Sequence, residues 1–181
     1  MKDNRIDRIS PDQALEILRR LTRSDPKINK RIEQEAEQIL KDIDVEGICE
    51  DVHSALDGID VEELWDRSGS SRHGYSSPED MAAEMMEEEL EPFNQEVLKY
   101  FEMGMTKEAK LYCMGILKGI YRYEQESRTE FKDWATDIPG ECFGDLLLEW
   151  KKRSGDQSDL KKMGEFIERE CSKWAKWVLK T

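Results

Sequence analysis

No two of the four cysteines, Cys49, Cys113, Cys142 and Cys171, stand close enough to form a Cys-x-x-Cys pair. Paired zinc ligands and a dithiol redox centre are therefore excluded as local motifs. Three of the four sit within apolar helical patterns, where a reduced thiol acts as a small hydrophobe. Histidine is scarcer, with only His53 and His73. Two histidines and scattered serines compose no nucleophile–base–acid set, and no phosphate-binding loop or dinucleotide fingerprint appears. No apolar run reaches the ~18 residues that a membrane-spanning helix needs. The opening "MKDNRIDRIS" lacks the apolar core and small-residue cleavage site of a signal peptide, so a cytoplasmic location is the expectation.

What is present is charge laid over a helical pattern. The 181 residues are 38% apolar and 38% charged, with a formal charge of -13. The mean hydropathy is -0.80. An acidic chain lacks the concentrated positive surface that bare nucleic acid requires, so nucleic acid is set aside as a partner. "WKKRSG" and the lysines of the last helix form a mildly basic end, read as solubilising a helix terminus.

Helix starts recur along the chain. In "SPDQALEILRRL", Ser10 caps, Pro11 occupies the first turn, and Gln13 completes a capping box ahead of Ala14, Leu15, Leu18 and Leu21. Asp25 and Pro26 repeat the device ahead of Ile28, Ile32, Ala36 and Ile39. The short connection predicts an antiparallel pair. A third helix begins near Asp44 and breaks at Gly58, with "DVEELWD" as a last turn or a short extra helix. "RSGSSRHGYSS" predicts a loop. Ser77 and Pro78 start a long helix towards Phe101, Gly104 ends it, and Thr106 caps its successor. Gly115 and Gly119, four residues apart, weaken that helix while permitting close backbone packing. Beyond Pro139 a short helix carries Phe143, Leu146, Leu147 and Trp150. A final continuous helix carries Leu160, Met163, Ile167, Cys171, Trp174 and Val178. The fold class is all-α, about seven helices in antiparallel pairs. Residues 1–66 form one helical subdomain and 78–181 another, with 67–77 as loop or linker, the two packed as one compact unit.

"LEILRRLTRSDPKINKRIEQEA", followed by "EPFNQEVLKYFEMGMTKEAKLYCMGILKGI", resembles the helical region accompanying SWIM zinc fingers in uncharacterised prokaryotic proteins. The resemblance covers residues 10–150 and implies a short tetratricopeptide-like array of helices. The zinc finger's paired cysteines and Cys-x-His arrangement are absent, so no metal site carries over.

No residue set forms a catalytic signature, and two constellations are the candidates for chemistry. Glu50 and His53 form one Glu-x-x-His, half of the pattern used in helical di-metal bundles, with Cys49 and Asp57 on the same face. The second half is missing, so His53 is read as a satisfied or surface histidine ahead of a metal ligand. "SPEDMAAEMMEEELEP" places Glu84 with Glu88 and Glu87 with Glu91 one turn apart, a solvated acidic face or a surface for a basic partner. Trp177 lies beside the stripe of the last helix. The leading expectation is a non-catalytic helical-repeat interaction or scaffold module, its partner surface formed by Glu84, Glu87, Glu88, Glu91 and Trp177. No cofactor, metal or membrane is expected, and a monomer stands ahead of a homodimer. The alternative is an all-helical metal-dependent hydrolase using Glu50, His53 and the acidic residues 84–91.

Overall fold

The computed structural model describes residues 8–71 and 74–180. Its contacts divide it into two units, Met1–Asp42 and Ile43–Thr181.

The first unit holds α1 (Pro11–Ser24) and α2 (Pro26–Lys41), joined through Asp25 alone and in contact with each other. Ser10 and Gln13 make the capping box reciprocally, at 3.3 and 2.9 Å. Asp25 accepts from the Lys27 amide at 2.8 Å. Neither helix buries a single residue.

The second unit comprises α3 (Val45–Asp57), α4 (Val61–Arg67), strands β1 (Gly69–Ser71) and β2 (Gly74–Ser76), α5 (Pro78–Glu102) and α6 (Thr106–Glu126). A 3₁₀ turn over Glu130–Trp134 leads to α7 (Ile138–Arg153), α8 (Gln157–Glu170) and α9 (Ser172–Val178). The described residues are therefore all-helical apart from one small ladder, with nine α-helices rather than about seven. Asp60 accepts from the Glu62 amide and starts α4 as a helix of its own. The expected single C-terminal helix breaks at Cys171, whose φ of -121° and ψ of 43° leave the helical region. No glycine or proline marks that break. It lets Trp174 meet Tyr121 and Phe143 edge-on, with ring centroids 5.3 and 5.2 Å apart. The segment expected as a loop over 67–77 lies inside the second unit and carries the antiparallel ladder Gly69↔Ser76, Ser70↔Tyr75 and Ser71↔Gly74. His73 lies outside the described residues.

Helix α6 is the hub, packing against α3, α5, α7 and α8. Its partner α3 comes from well before it in the chain, so the pairs do not stack in simple sequence order. Gly115 and Gly119 explain the intimacy of α3 and α6. A Cβ on either would lie 2.7 Å from Ile48 or Val52 Cβ, and within 3.0 Å of an α3 carbonyl oxygen. The turn into α6 is a Schellman motif: the Gly104 amide donates to Phe101 and the Met105 amide to Tyr100, both at 2.9 Å. Gly104 takes φ +72°, which only glycine adopts without strain. Met105, not Thr106, occupies the cap position, because the residue that closes the Schellman turn is itself the N-cap and the helix restarts one residue sooner. Lys118 of α6 bridges Glu46 of α3 at 2.7 Å and Glu170 of α8 at 3.0 Å. Behind them Lys110 and Asp159 form a buried ion pair at 2.5 Å.

Candidate functional site: two clefts flanking helix α7

Helix α7 divides two open clefts in the second unit. On one side, α5 and α7 enclose a groove of about 380 Å³. Its apolar lining comes from Leu90, Val97, Leu98, Phe101, Leu146 and Trp150. Glu87 and Glu91 from α5 and Asp145 and Glu149 from α7 supply four carboxylates to the same groove. Helical periodicity produces this arrangement: residues four apart share a face, so each helix contributes one carboxylate per turn beside its apolar stripe.

Two residues that line this groove each carry an enclosed polar atom without a hydrogen-bond partner among the described residues. Trp150 is 1% exposed, yet its indole Nε1 makes no hydrogen bond. Asn94 Oδ1 is likewise enclosed without a donor. One is a donor and the other an acceptor, and an unsatisfied buried polar group costs ~1–3 kcal/mol. Cys142 also lines the groove, and burial, reinforced by Glu87, Asp145 and Glu141, pushes its thiol up to about 12. It is therefore protonated and a poor nucleophile at neutral pH. Arg153 donates to Glu149 from the next turn and holds that carboxyl below its ordinary range.

Across α7 lies a larger cleft of about 660 Å³, lined by Trp174, Trp177, Leu148, Lys151 and the carboxylates Glu124, Asp137, Glu141 and Asp145. Gly140 and Gly144 keep its α7 wall low, with the Trp177 ring 3.6 Å from where a Gly140 Cβ would sit. Asp145 borders both clefts.

The five residues expected to form one partner surface are thus distributed. Glu87 and Glu91 line the α5–α7 groove, and Trp177, 46% exposed, lines the other cleft. Glu88 is engaged by Arg67 of α4 through two hydrogen bonds of 2.8 Å, which hold its carboxyl below the ordinary range. Glu84 is exposed on the same helix. Sequence reading missed Asn94, Asp145 and Glu149 as groove residues. The spacing of Asp145 and Glu149 held the signal, but which face α7 turns to α5 is set by packing.

Glu50 and His53 lie on α3, and the acidic run lies on α5. Glu50 is exposed, 4.0 Å from Arg122. His53 is half-buried, with Nε2 enclosed and without a hydrogen-bond partner. Cys49 is fully buried, its thiol raised by desolvation. Asp57 accepts from the Ser127 hydroxyl at 2.6 Å. Among the described residues, no three histidine, cysteine or acidic side chains come together at metal-holding spacing. No helix among them is long and apolar enough to cross a membrane.

No protein-family model matches the chain, and neither the curated proteins nor the solved structures contain a match.

Proposed function

We propose that the protein is a non-catalytic helical interaction module whose α5–α7 groove receives a basic, amphipathic segment of a protein partner. The observation that carries this reading is the groove itself. An apolar lining and four carboxylates, of which Glu149 is already paired with Arg153, fit a helix or extended segment with an apolar face flanked by lysine or arginine. Apolar contact would supply most of the affinity, and the carboxylates would set partner choice and association rate. The paired helices α5 and α6, around the "GMTKEA" turn, are the part of the chain where a tetratricopeptide-like reading is proposed. The hydrolase reading would need Glu50 and His53 of α3 to act with residues 84–91 of α5.

A designed peptide with leucine on one helical face and lysine on the other tests this, against the same peptide with glutamate replacing lysine. Calorimetric titration should show binding of the lysine peptide alone, weakening with added salt. Glu87→Gln and Glu91→Gln should each weaken it about two- to fivefold, the effect of an exposed ion pair worth up to ~1 kcal/mol. Equal binding of both peptides, or indifference to both substitutions, would refute the groove assignment.

A further inference from the structure

The first unit is a pair of helices that does not cover its own apolar surface. Leu15, Ile17, Leu18, Leu21 and Ile39 are between 37% and 75% exposed, half of the exposed large apolar side chains among the described residues. They fall within α1 and α2. An open cleft of about 460 Å³ between the helices is lined by Leu18, Leu21, Ile28, Ile32, Ala36 and Ile39. Helices of this length draw most of their stability from packing an amphipathic face, and units of about 40 residues generally need a partner, a metal or a disulfide.

The charges say what covers that face. Residues 1–42 hold ten lysines and arginines against nine acidic residues, so the chain's acidity resides in residues 43–181. Within the helix pair, charge is segregated along its length. The apex, residues 19–31, carries Arg19, Arg20, Arg23, Lys27, Lys30 and Arg31 against Asp25 alone. Among the described residues away from the apex stand Asp12, Glu16, Glu33, Glu35, Glu37 and Asp42, with Arg8 and Lys41. Several are locally paired, as Arg20 is with Glu16 at 2.8 Å and Lys41 with Glu37 at 2.6 Å, but the lengthwise imbalance persists.

We infer that this helix pair is a homodimerisation arm. It takes the α1–α2 pair of a second copy in antiparallel orientation, as a four-helix bundle with each basic apex against the other's acidic end. The pattern is self-complementary under a two-fold axis only in that sense, since a parallel arrangement would set six cations against six. Each cleft then receives the other's leucines and isoleucines. The acidic residues on the polar faces disfavour a lipid surface as the occupant. An acidic surface alone would leave the cleft open.

Sedimentation of the full-length chain over a concentration series tests this. The wild type should run at twice the chain mass, and Leu18→Glu with Ile32→Glu should run as a monomer. Reversing the apex (Arg19→Glu, Arg23→Glu, Arg31→Glu) or the far end (Glu16→Lys, Glu33→Lys, Glu37→Lys) alters only exposed side chains. Each reversal should weaken the homodimer at least about tenfold, as like charges come to face one another. Mixing the two variants should restore association. A monomeric wild type overturns the inference, whether or not the apolar face then binds anionic vesicles. So does a dimer that ignores the Leu18 and Ile32 substitutions, or one that ignores apex reversal.

Discussion

Lys110 and Asp159 are 7% and 8% exposed and bind each other across α6 and α8. Removing one partner of such a pair strands a buried charge, so Asp159→Ala should cost ~3–5 kcal/mol in chemical denaturation. Lys110→Met combined with Asp159→Leu should recover most of that loss. The exposed pair of Arg67 and Glu88 behaves differently. The arginine holds the Glu88 carboxyl below its ordinary range, so the folded state binds protons less readily than the unfolded chain. Its stabilisation is present in full above the ordinary carboxylate range and is lost as pH falls beneath it. Arg67→Gln should therefore lower stability at neutral pH, and the gap to wild type should close on acidification. A gap that stays constant with pH would contradict this. Nothing in the sequence marks Lys110 as buried, since it follows Ala109 as any surface lysine would.

At the scale of elements, the local chemistry of helix starts was largely legible. Ser10, Asp25, Asp44 and Ser77 all accept from helix N-terminal amides. Four of the five prolines, Pro11, Pro26, Pro78 and Pro139, lie in first turns. Pro92 sits inside α5 and deprives the Glu88 carbonyl of its donor, and the helix continues through it on the packing of Leu90, Val97 and Tyr100. The break at Cys171 was not legible, because it follows from where Trp174 packs rather than from a turn residue. The partnership of α3 with α6 was half legible. Gly115 and Gly119 announced a close approach, but only the fold names α3 as the neighbour. Gly115→Ala or Gly119→Ala should therefore destabilise despite the better helix propensity of alanine. The added methyl meets both a side chain and a carbonyl oxygen, and overpacking costs ~1–3 kcal/mol against ~1 kcal/mol gained. A variant more stable than wild type in thermal unfolding would contradict the close approach.

At the scale of the whole molecule, charge distinguishes the two units. Residues 1–42 are close to neutral and carry an uncovered apolar cleft, whereas residues 43–181 hold the acidity and the two clefts beside α7. Composition gave the total charge, and the acidic run gave Glu87 and Glu91. The pairing of those residues with Asp145 and Glu149 depends on the fold, as does the burial of Trp150 among them. The α5–α7 groove is proposed as the binding site for a basic amphipathic segment, and Trp150, which lines it, carries a proton that can report on occupancy. Proton–nitrogen correlation spectra should resolve the indole signals of the five tryptophans. Titration with the lysine–leucine peptide should move the Trp150 resonance, assigned by Trp150→Phe, further than those of Trp65, Trp134, Trp174 and Trp177. A titration that shifts Trp177 and leaves Trp150 in place would put binding in the other cleft and contradict the account.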